Sequence, residues 1–214
     1  MATAIKICGT TRIEDALAAA HCGAHAIGLI FYPPSPRNVT PTQAAAIIAA
    51  LPPFITSVGV FVDADECVVR DTLAVARVNL LQFHGAETPQ FCRDVSRSCG
   101  VPYMKALRVR PGINLLQYAR DFHDAKALLL DTFVDGMAGG TGAAFDWSLI
   151  PPGLPLPVVL AGGLTPDNVA GAVRAVKPWA VDVVSGVESS KGAKGVKDAA
   201  KIAAFVSGVR NADV

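Results

Sequence analysis

The chain has 214 residues, of which 51% are apolar and 17% are charged, and its formal net charge is +1. A chain of this length and composition can bury a core without support from disulfides or metals, so we expect a single domain over residues 1–214. A net charge near zero argues against nucleic acid or an anionic membrane surface as the partner. Five cysteines without a CxxC pair indicate reduced thiols and a cytoplasmic location.

The first predicted elements are the strand "AIKIC" and a helix that follows it at once. This segment carries Lys6 and Arg12 without a long apolar run between them, so it does not have the pattern of a secretory signal. The uncharged stretch 38–62 is long enough to span a bilayer, but Pro52 and Pro53 lie near its middle. We therefore predict a short helix, a break and a buried strand there, and no membrane segment.

Short runs rich in Val, Ile and Leu recur along the chain at the spacing of βα units, with helical stretches between them. The runs are nearly continuous, as expected of strands that are covered on both faces. They predict an α/β fold, a single (βα)₈ TIM barrel, with a doubly wound open sheet as the alternative because periodicity does not show closure. In chain order they are "AIKIC", "AIGLIF", "ITSVGVFV", "NLLQF", "PYMKAL", "KALLLD", "LPVVLA" and "AVDVVS".

Three of the helical stretches begin with a Thr-Pro pair, at Thr40, Thr88 and Thr165. Threonine is a favourable residue before the first turn of a helix, and proline is tolerated inside that turn. We therefore predict that each of these threonines caps a helix.

Polar residues and turns follow nearly every run. In a barrel, all eight carboxyl ends of the strands lie on one face, where enzymes of this fold build their active sites. We therefore expect one mouth formed by Cys8, Arg37, Asp63, His84, Arg108, Asp131, the "AGGL" turn and the "SGVE" turn.

The last two units carry glycine turns that fit an anion. Gly162 and Gly163 follow strand seven, and Ser185 and Gly186 follow strand eight. Bare backbone N–H groups at these two loops commonly bind phosphate in such barrels. The alternative is that these glycines only form tight turns. The glycine-rich stretch 136–147 after strand six is predicted to cover a ligand, with Phe145 and Trp147 anchoring the next helix.

Cys8 and Asp131 lie on strands one and six, so they could face each other across the mouth as a base and an acid. The thiol would then need N–H dipoles or cations nearby to lower its pKa, and the carboxyl would need burial to keep its proton. The alternatives are that Cys8 fills the core and that Asp131 caps a helix or pairs with a cation.

Two other polar residues, Arg37 and His84, are candidates for ligand contacts. Arg37 lies in the stiff loop "PPSPR" and suits a bidentate contact with a carboxylate. His84 fits a ligand contact or a buried structural role equally well. No metal site is predicted, because Gly23 interrupts the helix that a metal pair of His21 and His25 would need.

These residues resemble those of the phosphoribosylanthranilate isomerase family of tryptophan biosynthesis, over essentially the whole chain. The segments that carry the resemblance, in the family's order, are "KICGTT", "SPRNV", "LLQFHG", "LLLDT", "GGTGAAFDW", "LAGGLTPDNV" and "VDVVSGVESSKGAKGVKD".

The resemblance implies a cofactor-free barrel that binds a small phosphosugar, N-(5-phosphoribosyl)anthranilate, and converts it from an aminoaldose to an aminoketose by an Amadori rearrangement. By motif, Asp131 is the general acid that opens the furanose ring and Cys8 is the general base that removes the C2 proton. Arg37 corresponds to the residue that binds the anthranilate carboxylate, and the two glycine turns correspond to the phosphate site. The expected state is a monomer or a homodimer.

Two rival functions fit the sequence less well. The related sugar isomerase of histidine biosynthesis would call for an aspartate in place of Cys8 and for a second phosphate site. A barrel that binds a phosphorylated metabolite without turning it over would have no need of both Cys8 and Asp131.

Lys6 is not explained by these motifs. Side chains alternate along a strand, so Lys6 points to the same side as Cys8 and would be buried in the barrel. A buried ammonium needs a partner, and strand eight, which adjoins strand one in a closed barrel, carries Asp182. We therefore predict a Lys6–Asp182 ion pair inside the barrel. The alternative is that Lys6 reaches outward to water between the helices.

Overall fold

A computed structural model describes residues 2–132, 146–190 and 194–213. Eight parallel strands form a closed barrel in sequence order, with the eighth strand paired to the first. The predicted (βα)₈ barrel is therefore confirmed and the open sheet is excluded. The strands are β1 Ala4–Cys8, β2 Ala26–Phe31, β3 Thr56–Phe61, β4 Leu80–Phe83, β5 Tyr103–Val109, β6 Leu128–Thr132, β7 Val158–Leu160 and β8 Ala180–Val183.

Seven α-helices accompany the strands within the described residues. Between β6 and β7 the described part of the chain contains only a 3₁₀ turn, Trp147–Leu149, in place of the predicted helix; Trp147 packs against the core. The rest of the predicted ligand-covering stretch, Phe145 included, lies outside the described residues. The helices are α1 Ile13–Cys22, α2 Pro41–Ala50, α3 Glu66–Val75, α4 Pro89–Cys99, α5 Leu115–Asp121, α6 Val169–Val176 and α7 Ala199–Ala212.

Two of the three predicted threonine caps are confirmed. The side chain of Thr40 accepts a hydrogen bond from the N–H of Gln43, and that of Thr88 accepts one from the N–H of Phe91. The prediction for Thr165 is wrong, because α6 begins only at Val169. There the Asn168 side chain accepts from the N–H of Thr165 and donates to Gly163 O, which shapes the loop after β7.

The uncharged stretch 38–62 contains helix α2, a break at Pro52 and Pro53, and strand β3, as predicted. No helix within the described ranges is long and apolar enough to cross a bilayer.

Alternation along β1 places Lys6 and Cys8 inside the barrel. The Lys6 Nζ lies 2.9 Å from Asp182 Oδ1, and these two residues are direct neighbours across β1 and β8. Both side chains are about 95% buried. Burial alone would lower the pKa of Lys6, but Asp182 and Cys8 outweigh it and raise that pKa. The predicted pair is confirmed, and Lys6 carries its charge directly below the barrel mouth.

Lys6→Met is expected to lower the free energy of unfolding by about 3–5 kcal/mol, because it leaves the buried Asp182 carboxylate without a partner. Lys6→Met combined with Asp182→Leu should lose less than Lys6→Met alone, since no buried charge is then left unpaired. Denaturant unfolding measures both, with Lys126→Met at an exposed lysine as the control. A double variant at least as unstable as Lys6→Met would contradict the pair's role.

Candidate active site

A cavity of about 410 Å³ opens at the carboxyl ends of the strands. It brings together nearly all the residues that the sequence predicted for the site: Cys8, Arg37, His84, Asp131, Gly162, Gly163 and Ser185. Gly186 lies in the 3₁₀ turn Ser185–Val187, next to the cavity wall. A larger cavity of about 830 Å³ lies at the opposite end of the barrel and holds none of these residues.

Asp63 and Arg108, which we also expected at the mouth, line a neighbouring cavity of about 890 Å³ beside β4 and β5. Arg108 lies within β5 and not after it. Asp63 accepts a hydrogen bond from the N–H of Ala86 and shapes the loop there. His84 borders both cavities.

The thiol of Cys8 lies at the end of β1, where a glycine on the neighbouring strand makes room for it. Gly28 is the direct neighbour of Cys8 on β2, and a Cβ at that position would collide with Cys8 Sγ. The side chain is 97% buried. Burial raises the pKa of this thiol; the cations of Lys6 and Lys197 oppose that shift, and the Asp182 carboxylate adds to it. The expectation of a lowered pKa is therefore wrong, although the expected cations are present.

Asp131 comes from β6, and its carboxylate accepts one hydrogen bond and lies close to a histidine. The backbone N–H of Thr132 donates to Oδ1 at 2.8 Å, and His84 Nε2 lies 3.3 Å from Oδ2. The amide nitrogen of Gln82 lies 2.8 Å from His84 Nδ1. An amide N–H that donates to Nδ1 leaves the imidazole proton on Nε2, facing the carboxylate. His84 is thus placed to orient Asp131, a role that the sequence left open.

Gly162 brings the loop after β7 against this carboxylate. Its φ is +80°, and a Cβ there would lie 2.5 Å from the backbone N of Thr132 and 3.0 Å from Asp131 Oδ1. No larger residue fits between the loop and the acid, so this glycine has a steric role beside the one predicted for it.

The two glycine loops leave backbone donors for an anion. Within the described residues, the N–H groups of Gly163 and Ser185 donate to no other group. The loops also pack together closely, since a Cβ on Gly186 would collide with Leu164 O. Two bare N–H groups on touching loops are the arrangement expected of a phosphate site.

Arg37 is buried and paired within the protein. Its Nε and Nη2 donate to the two oxygens of Glu188 at 2.7 and 2.9 Å. The side chain crosses Gly9, where a Cβ would come within 2.8 Å of Arg37 Cδ. Burial alone would raise the pKa of Glu188, but Arg37 and Lys197 outweigh it and lower that pKa. Arg37 is therefore held rigidly, with its Nη1 not used in this pair.

Three residues of this site were missed from the sequence: Gly28, Glu188 and Lys197. Glu188 belongs to the motif after strand eight. An acid at the carboxyl end of a barrel strand could have been predicted as a site residue. Nothing in the sequence indicates that Lys197 lies in the site. It contacts Glu188 because an antiparallel bridge pairs these two residues in the folded chain. The role of Gly28 depends on its position opposite Cys8 on the neighbouring strand, which only the structure shows.

Comparison with known proteins gives a consistent picture. The family model described as N-(5'-phosphoribosyl)anthranilate (PRA) isomerase matches residues 5–208. A protein of that name from Nitrosospira multiformis is 55% identical over 209 residues, covering 98% of this chain and 97% of its own. The crystal structure of the Thermus thermophilus enzyme superposes with a TM-score of 0.87 at 36% identity, covering 98% of this chain and 99% of the other.

A second solved structure of this family is also similar, with a TM-score of 0.82, 36% identity and coverage of 98% of this chain and 99% of the other. That protein was crystallised with reduced 1-(o-carboxyphenylamino)-1-deoxyribulose 5-phosphate, a phosphosugar analogue. A family model that spans nearly the whole chain and relatives above half identity leave one assignment: the chain belongs to the N-(5'-phosphoribosyl)anthranilate isomerase family.

Proposed function

We propose that this chain isomerises N-(5-phosphoribosyl)anthranilate to 1-(o-carboxyphenylamino)-1-deoxyribulose 5-phosphate, a step of tryptophan biosynthesis, with Asp131 as the acid and Cys8 as the base. The observation that carries the proposal is that both side chains line one cavity, from strands that are three positions apart around the barrel. An acid and a base on two sides of one sugar are what an aldose-to-ketose rearrangement requires.

The first step is ring opening. Asp131 donates its proton to the furanose ring oxygen, the C1–O bond breaks, and the anthranilate nitrogen forms a Schiff base with C1. The carboxylate that remains on Asp131 keeps the hydrogen bond from Thr132 N–H and faces the imidazole of His84. These two groups stabilise the charge that develops on the acid.

The second step is proton removal at C2. The thiolate of Cys8 takes this proton, the C2–H electron pair forms the C1–C2 double bond, and the Schiff base nitrogen is neutralised. The resulting enolamine gains a proton at C1 as its C2 hydroxyl becomes the ketone. Both steps are proton transfers, so the reaction consumes no oxidant, reductant or cofactor.

The phosphate group is proposed to bind at the loops after β7 and β8. The N–H groups of Gly163 and Ser185 supply donors, and Gly162 and Gly186 allow these loops to pack closely. The family often reads "SSG" after strand eight, whereas this chain has Val184 before Ser185 and Gly186. A phosphate site made of backbone N–H groups does not need a hydroxyl at that position.

Arg37→Ala is expected to weaken binding of anthranilate-bearing ligands by about 1.5–3 kcal/mol, because Nη1 is the donor proposed for the substrate carboxylate. Calorimetry with an anthranilate-bearing product analogue and with ribose 5-phosphate separates the two ends of the ligand. Ribose 5-phosphate should bind with nearly unchanged affinity. Equal weakening of both ligands would mean that Arg37 binds the phosphate or stabilises the fold.

The assignment as a whole is tested by turnover of the purified chain. We expect conversion of N-(5-phosphoribosyl)anthranilate to the ketose, identified by mass and by its carbonyl signal in NMR, without added metal or cofactor. Binding of substrate with no product would favour a barrel that only senses a phosphorylated metabolite. The cytoplasmic location and the monomeric or homodimeric state remain predictions from the sequence.

A further inference from the structure

Lys197 is a buried cation that none of the proposed steps uses. It precedes α7, its side chain is fully buried, and its Nζ donates to Val184 O at 2.9 Å and lies 3.4 Å from Glu188 Oε1. A buried ammonium is costly unless it is paired and hydrogen-bonded, and the carboxylate nearest to Lys197 is already paired with Arg37. Its place in the fold therefore calls for an explanation.

Lys197 lies beside the end of β1. Val184, whose carbonyl accepts from Lys197, follows β8, the strand that pairs with β1. Its side chain abuts Gly9, the residue after Cys8: a Cβ on Gly9 would come within 3.3 Å of Val184 Cγ1. Burial lowers the pKa of Lys197, while Glu188 and Cys8 oppose that shift, and Lys197 in turn favours the charged form of Cys8.

The charges around Cys8 do not balance while its thiol is neutral. Lys6 pairs with Asp182, and Arg37 pairs with Glu188, which leaves the charge of Lys197 in excess. A thiolate at Cys8 makes the cluster neutral. The other groups that line the same cavity are His84 and Asp131, which face each other, and Lys194. The Asp15 carboxylate accepts from the Lys197 backbone N–H and is paired with Arg12, so it adds no net charge.

We infer that Lys197 is a positioning residue for the isomerisation, whose buried ammonium supplies the positive charge that Cys8 needs in order to act as a thiolate. The inference rests on the proposed role of Cys8 as the base. Burial raises the pKa of this thiol, so a compensating cation determines how much thiolate exists at neutral pH. Lys6 also favours the thiolate, and more strongly than Lys197, but its partner Asp182 opposes part of that effect, so Lys197 adds positive charge that no acid in the described part of the barrel offsets.

The test is a titration of the Cys8 thiolate by its ultraviolet absorbance. The absorbance of each protein is compared with that of the same protein carrying Cys8→Ser. The difference removes the absorbance of the other cysteines and leaves that of the Cys8 thiolate. Lys197→Met should move the Cys8 titration upward by about one pH unit. Turnover at neutral pH should fall by about tenfold, with KM nearly unchanged, because the thiolate fraction falls by that factor.

Lys201→Met is the matched control. Lys201 donates to Glu188 O at 2.8 Å and so anchors the same segment, but it is only partly buried, so solvent screens its charge. The Cys8 titration should stay in place in this variant. Equal shifts for Lys197→Met and Lys201→Met, or no shift for folded Lys197→Met, would overturn the inference.

Glu188→Gln gives a test of opposite sign that does not depend on Lys197→Met folding. It removes a negative charge and should move the Cys8 titration downward, and in combination with Lys197→Met it should return the titration toward the wild-type position. An upward shift for Glu188→Gln would contradict the charge balance. These titrations report on the thiol itself, so they stand apart from the proposed function, which fails separately if Cys8→Ala keeps its turnover.

Discussion

Replacing Cys8 with alanine is expected to lower turnover by about 10²-fold or more while substrate affinity stays close to that of the wild type. Alanine removes the only group on β1 placed to take the C2 proton. It leaves the phosphate loops and Arg37 in place, because Cys8 contacts neither through a hydrogen bond. A base acts in the transition state, so the loss belongs in kcat.

Steady-state kinetics with the purified variant measures this loss, and binding of a product analogue measures the affinity. Cys67→Ala is the matched control, since Cys67 is an exposed cysteine on α3 and should be replaced without effect. Near-normal turnover of Cys8→Ala would remove Cys8 from the mechanism and return it to the role of a core residue.

Asp131→Asn is expected to lower turnover by about 10²–10⁴-fold, because an amide does not supply the ring-opening proton. The amide oxygen can still accept from Thr132 N–H, so the loop geometry should be kept. The substrate should accumulate on the variant in its closed-ring form, because ring opening precedes proton removal at C2.

Single-turnover kinetics and NMR of the bound substrate test the Asp131 prediction. Asp94→Asn is the control, since that exposed aspartate lies on α4 and contacts Gln90 at the outer surface. A variant whose defect lies only in KM would make Asp131 a binding residue. An open-chain Schiff base accumulating on Asp131→Asn would show that another group opens the ring.

The strands were predictable because their signal is local. "AIKIC" and "AIGLIF" coincide with β1 and β2 to the residue, since a strand buried on both faces is a continuous apolar run. Closure of the barrel was predicted only from the number of βα units. In a closed barrel β8 pairs with β1, and this pairing identified Asp182 as the partner of Lys6. The start of α6 was misplaced, because the Asn168 side chain satisfies the backbone N–H of Thr165 in a loop.

The site was predictable as a set of strand ends, but its internal pairings were not. Cys8 and Asp131 followed from their positions at the ends of β1 and β6. The Arg37–Glu188 pair joins two loops that are far apart in sequence, so no spacing indicates it. The raised pKa of the Cys8 thiol depends on burial and on Lys197, both of which arise only when the loops are folded.

The most direct test of the proposed mechanism uses N-(5-phosphoribosyl)anthranilate that carries deuterium at C2 of the ribose. The wild-type chain should convert it to a ketose that has lost the deuterium, because the label passes to the Cys8 sulfur and exchanges with water. Ketose that keeps all the deuterium at C1, together with the same retention and rate for Cys8→Ala, would contradict Cys8 as the base at C2. Unchanged substrate would contradict the isomerase function itself.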